Sequence, residues 1–277
     1  MMRKLFSYGG VASPALVFFS ASLVMLMQTP VSLIIRAGWL SSGILLNEIL
    51  IIAGLPIFFI FVLGLDRRKV VPSAKIDPAL FSLLVVFILG AVVLLDYATV
   101  VSESFFPLPE EMRKTIDGIM EAKTSGAVAW KLFLLCVVPG FCEEIFFRGF
   151  CQGSLAARWG NAWAIALTSA LFALMHGNVY HMHLYFLLGI VFGWVFYATG
   201  SIWAAIFCHV FNNSWTFINH VRGFKFPFDE NTHGIDVAIC IFAAIITVAS
   251  AIIILRRRRR SGHGHVSADP HSKRFSG

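Results

Sequence analysis

Phe141-Cys142-Glu143-Glu144-Ile145-Phe146-Phe147-Arg148 places two adjacent carboxylates and an arginine inside a run that is otherwise almost wholly apolar. An ionisable side chain within a bilayer-spanning helix costs roughly 3 kcal/mol or more on insertion scales, so three in six residues need partners, water or a task. On a helix Glu144 and Arg148 stand four apart, share a face and can pair. Glu143 lies about 100° further round and has no such local partner. A paired carboxylate beside an unpaired one lets two like groups take different roles. A salt bridge that orients a buried helix, with Glu143 facing a polar crevice, is the plainer reading of the same residues.

The stretch belongs to a chain of 277 residues that is 58% hydrophobic and 13% charged, with 27 Phe. A bilayer core needs about 20 apolar residues per helix. Eight candidate spans answer to that length, at roughly 11 to 28, 46 to 65, 79 to 101, 127 to 150, 162 to 177, 182 to 199, 201 to 219 and 235 to 255. The fold class is therefore all-α: a polytopic membrane protein of about eight transmembrane helices, with the buried charges of the opening stretch marking a cavity within it. Residues 1–260 read as a single multi-span domain without repeats or linkers, and 261–277 as a disordered tail. Between the first two spans, Thr29 to Leu45 suggests a short interfacial or re-entrant helix. Ser102 to Ser125 is polar, with Met112, Ile116, Ile119 and Met120 at the spacing of a short amphipathic helix.

Met1-Met2-Arg3-Lys4 imitates a secretory signal, but a long apolar run without a small-residue cleavage site reads as an uncleaved first helix. Eight spans put both termini on one side. With that side cytoplasmic, 15 of the 22 Lys and Arg lie inside, counting Arg148 among them, which favours cytoplasmic termini and, in a bacterium, the inner cell membrane. Arg256 to Arg260, directly after the last span, reads as an anionic-lipid anchor, not a nucleic-acid site. The five cysteines form no CxxC and no even framework, and read as reduced packing residues. His263-Gly-His265 reads as part of the tail and not as a metal site.

Two further motifs carry chemistry. Arg158-Trp159-Gly160-Asn161 signals a turn, with Asn161 as the expected N-cap of the next helix. Glu143 stands 16 residues before Trp159 and His176 stands 17 after it, so an antiparallel hairpin brings the two nearly level, each about 25 Å of helix from the turn. Phe172 is four residues before His176 and shares its face. His209 and Asn213, also at i and i+4, present an imidazole and an amide to one point, as an oxyanion would need or as an interhelical hydrogen bond would. Asn212 points elsewhere, and Asn47, Glu48 and Asp96 read as solvated groups near helix ends.

Glu143-Glu144-xxx-Arg148, Phe172-xxx-His176 and His209-xxx-Asn213, on three separate helices, resemble the signature of the CAAX prenyl protease and bacteriocin-processing family of intramembrane glutamic proteases. The match spans about residues 127–219, and Gly200 to Ile206 looks like the family's approach to its third motif. The resemblance implies a protease core there, in which Glu143 and His176 activate a water, His209 and Asn213 form the oxyanion hole, and Glu144, Arg148 and Phe172 support the site. It implies no cofactor. The implied partners are membrane lipid and a membrane-associated protein or peptide, either lipidated or bearing a C-terminal sorting signal, with no nucleic acid. Two alternatives remain open on the residues alone. Glu143, Glu144, His176 and His209 are also zinc-ligand types, as in a membrane metalloprotease, and polar groups within spans also line transporter pathways or brace scaffolds.

Overall fold

The computed structural model describes residues 6–223 and 233–260, so Met1 to Lys4 and the tail 261–277 lie outside the described residues. A two-residue antiparallel hairpin, β1 (Ser7–Tyr8) and β2 (Val11–Ala12), precedes an otherwise helical chain. The helices are α1 (Pro14–Arg36), α2 (Leu40–Val62), the single-turn α3 (Arg67–Val70), α4 (Pro78–Phe105) and α5 (Glu110–Met120). They continue with α6 (Ser125–Trp159), α7 (Asn161–Met175), α8 (Met182–Thr199), α9 (Ile202–Arg222) and α10 (His233–Arg260).

Local chemistry sets these boundaries. Ser13, Asp77 and Thr124 each accept a bond from a first-turn amide, and Pro14 and Pro78 follow two of those caps, where a missing N–H costs nothing. Gly200 and Gly223 close α8 and α9 at positive φ, which leaves the last carbonyls capped without a Cβ clash. α6 meets α7 at Gly160 alone, whose φ of 81° turns the chain. Gly160, not Asn161, is the N-cap, and no side-chain capping bond forms there.

Each expected span has its helix, but among the described residues six are long and apolar enough to cross a membrane by themselves. α7 has 15 residues, about 22 Å of rise against a bilayer core of about 30 Å. α9 falls short because it carries His209, Asn212, Asn213, His220 and Arg222. The chain is a multi-pass membrane protein whose outward-facing side chains, among them Leu26, Phe58 and Phe242, are apolar. The expected interfacial helix at Thr29 to Leu45 does not form. Its first half continues α1 to Arg36 and its last residues begin α2, since only Ala37, Gly38 and Trp39 interrupt the apolar run. The amphipathic helix expected after span three is α5.

Cross-connections sort the loops into two ends. Lys69 donates to the Gly9 carbonyl at 2.9 Å, Ile202 N–H to the Pro72 carbonyl at 2.9 Å, and Arg257 to Asp77 at 2.6 Å, so the hairpin, the α3 loop, the α8–α9 turn and the end of α10 share one end. At the other, Glu103 meets Arg113 of α5 and His181, and Trp130 donates to Ser41 at 3.1 Å. Small residues let the helices between them approach closely. A Cβ at Gly140 would come 2.5 Å from the Val210 side chain, so α9 packs against α6 beside the Glu143–Glu144 pair. A Cβ at Gly189 would come 2.8 Å from the Ser169 backbone, which holds α7 against α8.

Candidate active site

The middle of α6 departs from regular α geometry. Val138–Glu144 is α-helical, and the wider π turns of Phe133–Val137 and Ile145–Gln152 flank it. Such segments recur where a helix must re-aim side chains at a site. Glu144 and Arg148 are fully buried and 3.2 Å apart, an ion pair whose angle falls short of a hydrogen bond. Arg148 also donates to the Gly189 carbonyl at 3.2 Å, and one turn on Gln152 donates to the Gly193 carbonyl at 2.9 Å. Because glycine leaves the helix carbonyls of α8 uncovered, both long side chains of α6 reach them. The guanidinium carbon lies 4.9 Å from the Phe172 ring centre and 5.5 Å from that of Phe192, so the cation rests among aromatic faces.

Arg148 is thus an interior group. It does not belong among the cytoplasmic cations with which the sequence counted it, because its partners all lie within the bundle.

The second oxygen of Glu144 does something the spacing did not suggest. Oε1 lies 2.8 Å from His209 Nδ1, joining α6 to α9. A carboxylate accepts only, so Nδ1 carries the proton of this bond. The His209 ring lies flat on Phe192, centroids 4.7 Å apart at 16°. His176 is held in the same manner by a different acceptor: its Nδ1 donates to the Phe172 carbonyl at 2.7 Å, which leaves Nε2 as the free nitrogen of the neutral ring. Phe172 lies 4.5 Å away on one side, as its spacing implied, and Tyr185 stacks at 4.0 Å on the other. Nothing in the sequence pointed to Tyr185 or Phe192, which come from α8 and become neighbours only through packing.

His176, His209, Asn213 and Phe172 line one cavity of about 500 Å³. Asn212, expected to point elsewhere, lines it too, and its Nδ2 donates to Asn213 Oδ1 at 3.3 Å. That bond occupies the Asn213 oxygen and leaves the Asn213 amide nitrogen available to donate. Neither glutamate is among the residues that line this cavity. Oε2 of Glu143 is buried and has no hydrogen-bond partner among the described residues.

Glu48 is not the solvated interfacial group that its place near a helix start suggested. It is 6% exposed, within a π segment of α2 at Leu46–Ala53, and accepts from Asn47 at 3.0 Å. α2 begins six residues earlier than expected, which carries Glu48 from the helix mouth into the bundle. Asp96 is also engaged, accepting from Trp215 at 2.7 Å.

Among the described residues no three His, Cys, Asp or Glu side chains converge as a metal-ligand set. Glu144, one of the four zinc-ligand types in the sequence, is already committed to Arg148 and His209. The described cysteines are all free, and four of the five are buried.

A model of the type II CAAX prenyl endopeptidase Rce1-like family matches residues 125–215, from the start of α6 to the last turns of α9. A Bacillus subtilis (strain 168) protein named "Putative membrane peptidase YdiL" is 29% identical over 92 residues, a match that covers 33% of this chain and 38% of that relative. The chain thus aligns with well under half of that protein's length. No solved structure matches this chain.

Proposed function

From a chain that carries a domain of the Rce1-like type II CAAX prenyl endopeptidase family at residues 125–215, we propose an intramembrane peptidase that hydrolyses a peptide bond of a membrane-associated protein or peptide with activated water. One observation carries the reading: two imidazoles from different helices line one cavity, each with Nδ1 already committed and Nε2 therefore left for chemistry.

Amide hydrolysis needs a base for water, donors for the tetrahedral oxyanion and an acid for the leaving amine. In this scheme Glu143 turns from its buried position into the cavity, and a water oxygen attacks the carbonyl carbon while its proton passes to the Glu143 carboxylate, with His176 Nε2 orienting the water. The carbonyl π electrons move to oxygen. His209 Nε2–H and the Asn213 amide donate to that oxyanion, which requires His209 to carry both ring protons, a cation set against Glu144. Collapse re-forms the carbonyl and breaks the C–N bond. The departing nitrogen takes the proton held by Glu143, giving a carboxylic acid and an amine and restoring the site.

Arg148 positions Glu144, and Glu144 positions His209. Lipids surround the apolar helices, and a lipidated tail or a C-terminal sorting segment is the kind of chain such a site would meet. The test compares membrane-protein termini in cells that make the wild-type chain with those in cells that make E143Q. A fragment found only with the wild type identifies the bond; identical termini in both strains would sink the peptidase reading.

A further inference from the structure

The two ends of the bundle differ in charge, and the cavity opens at only one of them. Among the described residues, the end that holds the β hairpin, α3, the α6–α7 turn and the close of α10 carries ten Lys and Arg: Arg67 to Lys69, Lys75, Arg158 and Arg256 to Arg260. The opposite end carries six, namely Arg36, Arg113, Lys114, Lys123, Lys131 and Arg222, beside the five carboxylates from Glu103 to Glu121. Basic residues in short loops next to spans stay on the cytoplasmic side, and the Arg256 to Arg260 run directly follows a span. That makes the hairpin end cytoplasmic and the α5 end non-cytoplasmic.

The cavity that holds His176, His209 and Asn213 reaches Glu103, Arg113, Asp117, His181 and His220, all at the α5 end, and none of the ten cations of the basic end lines it. α5 forms its rim. Arg113 is tied to Glu103 at 3.3 Å, Asp117 lies 3.9 Å from His220, and Lys131 donates to the carbonyls of Ile119 and Glu121, each at 2.6 Å. Ile116, Ile119 and Met120 of this helix turn into the cavity and provide an apolar wall beside Asp117, while Glu110 and Glu111 pair with Lys114 on its exposed side. At about 500 Å³ the space is in the size range of small-ligand pockets, room for a short extended stretch of chain and not for a folded one.

We propose that this site is served from the non-cytoplasmic face: its substrate is a membrane-anchored peptide whose scissile bond lies at or beyond that face, not a prenylated tail in the cytoplasm. The substrate part rests on the peptidase reading above, whereas the side on which the cavity opens does not depend on catalysis.

The two parts are tested separately. Single cysteines K114C on α5, T216C in the cavity and R68C at the basic end are introduced into the full chain carrying C136A, since Cys136 lines the same cavity. A membrane-impermeant maleimide is applied to intact cells and to inverted membrane vesicles. K114C and T216C should label at least tenfold faster in intact cells, and R68C in inverted vesicles. Labelling of T216C from the same face as R68C, or of K114C only in inverted vesicles, overturns the proposal. For the substrate, every terminus that depends on intact Glu143 should map to a non-cytoplasmic segment. A cytoplasmic tail among them overturns the substrate class, while no Glu143-dependent terminus at all overturns the peptidase reading and leaves the labelling result standing.

Discussion

His209 Nδ1 and Glu144 Oε1 lie 2.8 Å apart across the contact of α9 with α6, and that single bond decides which nitrogen of His209 is left for the cavity. With Nδ1–H pointing at the carboxylate, Nε2 can donate to a substrate oxygen only when the ring holds both protons. H209A should therefore lower kcat by about 10²- to 10³-fold, the usual cost of one oxyanion donor, with KM little changed. Turnover of a peptide spanning the bond identified from the E143Q comparison measures this. A KM effect with unaltered kcat would assign His209 to binding instead.

Arg148 is 1% exposed, so bulk solvent cannot replace Glu144, the Gly189 carbonyl and the aromatic faces around it. Removing one partner of a fully buried ion pair leaves the other charge uncompensated, at a cost of about 3–5 kcal/mol. R148A should be destabilised by that order in detergent-solubilised unfolding. The double variant E144Q/R148M should lose less than R148A, and equal stability of R148A and wild type would contradict the buried network.

The His176 ring is fixed by the Phe172 carbonyl and clamped by Tyr185. H176A should cost about 10²-fold or more in kcat, the cost of losing the group that orients the attacking water. Y185L keeps the hydrogen bond and loses the clamp, so a loss of up to about 10²-fold is expected from misplacement alone. Unaltered turnover in Y185L would mean the carbonyl bond is sufficient to hold the ring.

At the mouth, burial lowers the proton affinity of His181 below its ordinary value of 6.5, partly opposed by Glu103 and reinforced by His183 and Arg113. A histidine that binds its proton more weakly when folded favours folding above its unfolded value, and that contribution is lost as the pH falls from 6.5 through the lowered folded value. The protection of the amides in the segment 178–181, taken relative to the intrinsic exchange rate at each pH, should therefore fall on acidification below about pH 6.5. H181Q should remove that fall in protection, and a fall that persists in H181Q would place its origin elsewhere.

Chelation offers a separate test of the water-activation scheme. Glu144 is engaged by Arg148 and His209, and among the described residues no ligand set of three converges. Turnover should stay within about twofold after exhaustive treatment with a strong chelator, since a zinc hydrolase loses its Lewis acid and its activated water together. Loss on chelation with recovery on adding zinc would reverse the mechanism.

By itself the sequence determined what depends on composition and on spacing along one helix. Apolar runs placed a helix at each expected span, six of them long and apolar enough to cross a membrane, since a segment that cannot hydrogen-bond its backbone to water must be helical. The i, i+4 rule paired Glu144 with Arg148 and Phe172 with His176, and both contacts are present. The family resemblance carried by the three motifs is borne out over 125–215. Contacts between helices were decided by the tertiary structure alone, because interhelical register depends on close approaches such as Gly140 against Val210, which no periodicity encodes. Packing gave Glu144 its second partner in His209, brought Tyr185 and Phe192 onto the two imidazoles, drew Glu48 inside, and turned Asn212 into the same cavity as Asn213. It also set the end at which that cavity opens, where the helix ends gather beneath α5.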